Sequence, residues 1–537
     1  MQQLFHRSFQ TFFNSTTLNK TILAAIWLAV RAIAPFELTP IPISLLTALL
    51  VRLIDVAKPF LPILPEVELP YEKIPFDDKI VYTLISALIY LFAQFPLAGI
   101  SKEPSTVLDP LYFLRGVFAA EPKTLLEFGV FPVVSSALLL QLFAGLKLIK
   151  VNFKIRQDRE LFQTLTKLLS IVQYFILANV FIFSGYYGNN LSLLAIVLLN
   201  LQLVAAGVIV TLLVEVIDKG YGFGSGAMAI SAVVISTNLV ADTFGITQFP
   251  VDDEGHTEPQ GAVINLLQGL RAKHKTFLGG IVSAFNRDYL PNLATTLLVL
   301  AIGAVVCFLQ NYRVELSIRS TRARGMNNIY PIRLLYIGGL SVLFSYIVLF
   351  YIHIVAFALI QLVANNNPES VIYKVTGGYA PVNNLLYVPQ FPLSLLTPPK
   401  SLYECITRQP LTLVVFATFL LTTGTWFASV WQSISGSSAR DIALQFKDQG
   451  ITLTGRREQS VAKELDKVVP VASATGAAAL ALLVTFGEIL GLKGKAAGIV
   501  IGVTSGFSIL ELITMDYQQS GGQSALAQVL GAPGGGF

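Results

Sequence analysis

The sequence predicts an all-α polytopic membrane protein, with ten transmembrane helices in two inverted halves of five. Three observations predict it. The 537 residues are 54% hydrophobic and only 13% charged, with a mean hydropathy of +0.65, whereas soluble domains carry about 25% charged residues. Stretches of roughly 20 mostly apolar residues, the length a span needs, recur about ten times. They divide five and five about a polar link, residues 245–291, and two five-span halves in series have opposite topology. Lipid offers backbone amides and carbonyls no partner, so each stretch reads as a helix.

Residues 1–50 stand apart as an N-terminal extension. Thr21–Val30 is apolar, but Arg31, Pro35, Pro40 and Pro42 follow before a span is complete. It lacks a small-residue cleavage site and does not read as a signal peptide. It is either an interfacial segment or sequence upstream of the true start. Within 51–78, Val51–Lys58 reads as a short amphipathic surface helix. Leu50, Leu53, Ile54 and Ala57 keep helical spacing, and Arg52, Asp55 and Lys58 lie opposite. Pro59 is expected to end it.

The spans are expected near Ile80–Pro96, Phe131–Leu148, Leu165–Tyr186, Leu191–Val216, Ser225–Phe244, Asn292–Gln310, Leu334–Val363, Leu411–Trp431, Pro470–Leu490 and Ala496–Met515. One stretch fails as a span. Ser101–Gly129 follows the first span, and its apolar core, Pro110–Ala120, is about one short helix and carries Arg115. A half-length piece at membrane depth must be surrounded by protein or line a water-filled cavity. It therefore lies on the outer surface or folds back into a cavity.

Charge sets orientation. The connection after span two carries Lys150, Lys154, Arg156 and Arg159. That after span six carries Arg313, Arg319, Arg322, Arg324 and Arg333, and that after span eight Arg440, Lys447, Arg456, Arg457, Lys463 and Lys467. The connections after spans one, five and seven are longer and mixed. The positive-inside rule puts the basic set in the cytosol. Both termini, including the 516–537 tail, then lie there, and the 245–291 link lies on the far side.

Enzyme chemistry is not indicated. The four histidines and two cysteines form no metal-ligand pattern, and no cofactor motif appears. The glycines of Lys219–Gly226 join two spans rather than a strand and a helix, so they read as a tight turn, not a phosphate loop. Cys307, in a span, and Cys405, in a polar loop, read as free thiols. Ionisable groups within spans usually mark transport pathways. Here they are His353, Glu215, Glu488 and Glu511. The glutamates lie near span ends, within reach of water, and His353 is expected to bond a neighbouring helix. This scarcity argues against the rival reading, a secondary transporter with five-plus-five inverted repeats. The loops Tyr312–Ile332 and Ser433–Val469 are different. Arg322, Arg324, Arg456 and Arg457 sit mid-loop beside Gly325 and Gly455, as projecting tips rather than membrane-hugging anchors. Phosphate-rich RNA suits such tips, because arginine pairs bidentately with phosphate.

At these loops the chain resembles a known family. The strings "DPLYFLRG", "FGVFPVVSSALLLQLFAG", "DKGYGFGSGAM", "RVELSIRSTRARG", "SGSSARDIALQFKDQG" and "GRREQSVAKEL" are similar, in order, to the SecY-type protein-conducting channel. The specific likeness is to the α-subunit of the endoplasmic-reticulum Sec translocon. "VNFKIRQDREL" and "YQQSGGQSAL" lean toward the alternative α-subunit of budding yeasts. The resemblance implies the SecY fold, with pseudo-symmetric halves 79–244 and 292–515 hinged at the luminal link 245–291. It implies a plug within 101–129 that includes Asp109, Leu111, Phe113, Arg115 and Phe118. A pore ring would fall on Val130, Val134, Ala227, Ser231, Leu343 and Ile501. Spans two and three would face seven and eight as a lateral gate, with Ser135, Gln141, Ser345 and Tyr351 as its polar residues. Ribosome contacts would fall on Arg322, Arg324, Lys447, Arg456 and Arg457, in the cytosolic loops 312–333 and 433–469. The implied partners are small β- and γ-type subunits, the ribosome with its RNA, signal sequences, nascent chains and membrane lipid. The implied location is the endoplasmic-reticulum membrane, with no enzymatic activity. There are departures. On span seven the family often has proline, glutamine and asparagine, where this chain has Ser341, Ser345 and Tyr351, and the ring is lighter at Ala227 and Ser231.

Overall fold

The computed structural model describes residues 53–100, 109–153, 155–188, 191–250, 257–271, 277–285, 287, 290–320, 327–365, 367–382, 386–399, 402–407, 410–453 and 458–519. The extension 1–50 and the tail from 520 lie outside them. Among the described residues, helices stand at every expected span: Phe76–Phe92, Phe131–Gly145, Arg156–Phe183, Leu193–Val216, Gly226–Phe244, Leu293–Gln310, Leu340–Ala358, Pro410–Ile434, Glu458–Ile489 and Lys495–Gln519. Eight are long and apolar enough to cross a membrane. The first two are shorter, at 17 and 15 residues. Local chemistry sets several starts. The Ser192 and Asn292 side chains accept the amides of Ala195 and Thr295, capping the fourth and sixth spans.

Several boundaries differ from expectation. The third span starts at Arg156 and the ninth at Glu458, because a helix need not end where lipid ends. Its wet turns carry charge pairs such as Arg156 with Glu160, 2.8 Å apart. The seventh starts at Leu340, not Leu334, and closes in a π-helical turn, Leu359–Val363. The surface helix is a 3₁₀ segment, Leu53–Phe60, with Pro59 inside it rather than ending it. Proline removes one amide there, and turns through Ile63 and Leu64 onto the Phe60 carbonyl carry the chain on.

Among the described residues there are seven short strands: β1 Gln248–Pro250, β2 Thr257–Pro259, β3 Arg313–Ser320, β4 Asn327–Arg333, β5 Tyr379–Val382, β6 Leu386–Pro389 and β7 Ile451–Leu453. β1 and β2 form one antiparallel pair, and β5 and β6 another. The order of the third sheet is β4-β3-β7. Among the described residues, the basic connections after spans six and eight therefore share one sheet. Within the 245–291 link the described residues include helices Ala262–Arg271 and Phe277–Phe285. Arg287 is buried in it, donating to the carbonyls of Pro259 at 2.6 Å and Pro291 at 2.9 Å.

From Ile54 onward the chain is one compact unit. Its main apolar core draws on spans of both halves and on Leu111–Phe131 between the first two. A second, smaller core joins the β4-β3-β7 sheet to helix Ala439–Gln449 and to the start of the ninth span.

Candidate functional site

The apolar core of the segment that fails as a span, Pro110–Ala120, lies inside the protein. Leu111, Phe113, Leu114, Val117 and Phe118 are buried. Its apolar core is a chain of turns rather than a helix, with amide-to-carbonyl bonds Leu114 to Leu111, Val117 to Leu114 and Phe118 to Arg115. Arg115 is 8% exposed, and a buried guanidinium persists only when paired. Its Nε lies 2.5 Å from Asp109 Oδ2 and its Nη2 2.5 Å from Glu127 Oε1. Nη1 donates to the Glu127 carbonyl at 2.9 Å. Burial pushes the Glu127 carboxyl up, and the Arg115 charge opposes it. The backbone is tied down as well. The Phe118 carbonyl accepts the Val130 amide at 2.9 Å, and the Ala119 carbonyl accepts the Tyr90 hydroxyl at 2.7 Å.

Val130, Val134, Ala227, Ser231, Leu343 and Ile501 are all buried. They come from the second, fifth, seventh and tenth spans, Val130 as the cap of the second. The five apolar members share the core that holds Phe113 and Phe118.

The four expected gate residues separate into groups. Ser135 donates to Gln173 Oε1 on the third span at 2.8 Å, a bond within one half. Ser345 accepts from Thr423 on the eighth span at 2.9 Å, a bond within the other. The seam between the halves is aromatic. Phe131 stacks on Phe350 with centroids 3.6 Å apart and meets Tyr351 edge-on at 5.3 Å. Phe181 meets Phe357 at 5.8 Å. Gln141 is exposed and joins none of the other three.

Two expectations for ionisable groups need correction. Glu488 is fully buried rather than reached by water, its carboxylate accepting the amides of Gly494 at 2.6 Å and Ala497 at 3.4 Å. Glu215 is buried between Lys167 and Lys219, at 2.6 and 2.9 Å. Both glutamates do lie at span ends, but protein groups rather than water surround their carboxylates. Glu511 does stay half-exposed, on Arg333. His353 bonds the Leu349 carbonyl of its own helix at 2.9 Å, not a neighbouring helix. Among its packing partners is Phe113, edge-on at 5.0 Å. Cys307 and Cys405 are free, and Cys405 is buried in helix Leu402–Thr407 rather than in a loop.

The basic connections meet in one platform. β3 pairs with β4 along its length, and β7 adds to its other edge through Ile318 with Leu453, Arg319 with Thr452 and Ser320 with Ile451. Ile318, Ile332, Ile442, Phe446, Leu453 and Leu465 are buried beneath. Ser438 caps helix Ala439–Gln449, and Gly450 ends it at φ 68°. Lys447, in its last turn, is exposed. Arg322, Arg324, Arg456 and Arg457 lie outside the described residues, but the segments carrying them leave β3 and β7, strands paired to each other. Sequence reasoning missed Gln173, the Phe131–Phe350 stack and the partners of Arg115. Only the last left a signal: one arginine in an apolar run flanked by acids.

The chain matches the SecY family model over residues 124–518 and the plug domain of Sec61p over residues 88–122. It is 68% identical to the Sec sixty-one protein homolog of Saccharomyces cerevisiae, over 90% of this chain and 99% of that protein. It is 37% identical to the protein transport protein SEC61 subunit alpha of Eremothecium gossypii, over 86% and 95%. Among solved structures it is similar to a chain of the idle yeast Ssh1 complex bound to the yeast 80S ribosome. That likeness has a TM-score of 0.73 at 68% identity and covers 90% of this chain and 99% of the other. Sec61 in the canine ribosome-channel complex from the endoplasmic reticulum aligns with a TM-score of 0.64 at 22% identity, over 86% and 96%, a likeness of fold.

Proposed function

The chain belongs to the SecY family, and we propose that its buried 109–129 segment is the plug of a protein-conducting pore. The protein is the pore-forming α-subunit of a translocation channel of the endoplasmic-reticulum membrane, a ribosome partner without enzymatic activity. Relatives in that role are Sec61 α-subunits and ribosome-bound channel complexes. Small β- and γ-type subunits complete the complex.

One observation carries the reading of the pathway. A polar-tipped segment too short to span is buried between two five-helix halves, against residues of four different spans. Val130, Val134, Ala227, Ser231, Leu343 and Ile501 form the constriction in this reading. A narrow apolar ring blocks ions because dewetting and lost hydration oppose their passage. A nascent chain from the ribosome threads the ring once the plug moves. An apolar segment of about 20 residues instead leaves sideways into lipid. The seam it parts is Phe131 on Phe350, with Ser135, Ser345 and Tyr351 beside it. Loops 312–333 and 433–469 face the cytosol and dock the ribosome, with Arg322, Arg324, Lys447, Arg456 and Arg457 toward its RNA. The 245–291 link is the luminal hinge.

Reconstitution tests this. Purified channel in vesicles should bind ribosomes and protect a translocating chain from added protease. A channel that binds ribosomes yet never protects a chain would make the protein a docking scaffold. A secondary transporter is not favoured: Glu215 and Glu488 are each engaged by neighbouring protein groups, and the buried Arg115 cluster is neutralised within the plug segment.

A further inference from the structure

The turn between the ninth and tenth spans approaches the plug more closely than any side chain allows. Gly494 has φ +90°, and a Cβ placed on it would lie 1.8 Å from the Phe113 carbonyl oxygen and 2.8 Å from its carbonyl carbon. Backbone cannot yield to that contact as a side-chain tip can. One helical turn later a Cβ on Gly498 would meet the Gly116 carbonyl oxygen at 3.5 Å. The plug backbone at Phe113–Gly116 therefore rests directly on the start of the tenth span. The turn itself is held on both sides. Buried Glu488, from the end of the ninth span, accepts the Gly494 and Ala497 amides. Lys495 Nζ lies 2.5 Å from Asp242 Oδ2 at the end of the fifth span.

We propose that the turn Leu490–Lys495 is the seat on which the plug closes. Gly494 is the contact, and Glu488 is the positioning residue that holds Gly494 against the Phe113 carbonyl. This rests on the reading of 109–129 as a plug. The physical argument is one of fit. A left-handed glycine leaves room for a carbonyl that any other residue displaces, and a fully buried carboxylate bonded to two amides fixes the turn in one conformation. The seat belongs to the C-terminal half, whereas the plug is bonded to the N-terminal half by the Tyr90 hydroxyl on the Ala119 carbonyl and by Arg115 Nη2 on the Tyr186 hydroxyl at 3.3 Å. A closed plug therefore bridges the two halves, and their separation lifts it from Gly494 while the arginine cluster travels with it.

The test uses the complete channel complex reconstituted in planar bilayers and vesicles. Five forms are compared: wild type, Gly494→Ala, Glu488→Gln, deletion of Asp109–Ala120, and that deletion combined with Gly494→Ala. Ribosome binding by each preparation reports that the fold is intact. A second readout is labelling of Val117→Cys by an impermeant maleimide, with Cys307 and Cys405 replaced by serine. Both point variants should raise ion leak, Gly494→Ala the more, and should speed Val117→Cys labelling about tenfold, as a weakened local closure does. Gly494→Ala should add nothing to the leak of the deletion, because it acts through the segment removed. Leak that adds to the deletion, or a Val117→Cys thiol as protected in both point variants as in wild type, overturns the seat while the plug stands. A deletion that leaks no more than wild type overturns the plug and the seat together.

Discussion

At the scale of single residues, Arg115 is the group whose burial demands most. Its removal leaves the buried Glu127 carboxylate and the half-buried Asp109 without their counter-charge. Arg115→Ala should therefore cost about 3–5 kcal/mol, the loss on breaking a buried pair from one side. Adding Glu127→Gln should recover part of it. Thermal unfolding of the detergent-solubilised complex measures both, and a single variant as stable as wild type would deny the cluster its role. Ala227 and Ser231 act in the opposite sense, by what they lack. In the proposed constriction they would give less apolar bulk than larger aliphatics, so the plug would carry more of the barrier. Ala227→Ile with Ser231→Ile should restore part of the ion block that deleting Asp109–Ala120 removes, read as bilayer conductance. Unchanged conductance would remove those positions from the ring.

Among elements, the platform is the one whose construction the sequence concealed. Phe446 is buried there, edge-on to Tyr330 at 5.0 Å. Phe446→Ala should cost about 3–5 kcal/mol of local stability and weaken ribosome binding while leaving ion leak as in wild type. Arg456→Glu with Arg457→Glu should weaken binding without touching stability. It should also reduce the slope of log affinity against log salt, by about one unit for each phosphate no longer neutralised. Salt-independent binding by wild type would exclude an RNA-facing tip. The ten spans were legible because lipid forces long apolar runs into helices whatever their neighbours. Strands of three to eight residues carry no such constraint. Even so, Val314, Leu316 and Ile318 alternate with Arg313, Glu315, Ser317 and Arg319 in the period-two pattern of a strand. The seam was hidden for a different reason. In a membrane helix, apolar residues face lipid and partner alike, so nothing marks Phe131 and Phe350 as a pair before the halves are folded. The plug was half legible: its failure to span was plain, but its turns and its ion cluster depend on the cavity that receives it.

At the scale of the whole molecule, the reading commits to sidedness. A glycosylation acceptor placed in residues 251–260 should be modified, because the link faces the lumen. The same acceptor beside Gly325 should remain unmodified. The reverse pattern, read as a mass shift sensitive to endoglycosidase, would turn the molecule over. The same orientation puts the platform and the Arg333–Glu511 pair on the cytosolic face, and the β5–β6 hairpin near the plug on the other. Tyr387 of that hairpin donates its amide to the Asp109 carbonyl at 3.4 Å.

The ninth span runs unbroken for 32 residues, Glu458–Ile489. Its first turns are packed into the platform core through Val461, Leu465 and Val469, and its last turn carries Glu488. At 1.5 Å per residue it is a rod about 48 Å long, with the proposed docking surface at one end and the proposed seat of the plug at the other. A rod of that length acts as a crank. A tilt of about 3° at the platform swings its far end by about 2.5 Å, enough to break a van der Waals contact there. Pro470, which lacks an amide, is where such a rod bends most readily. A displacement of the platform on docking would then reach the turn that holds Gly494 through a single helix.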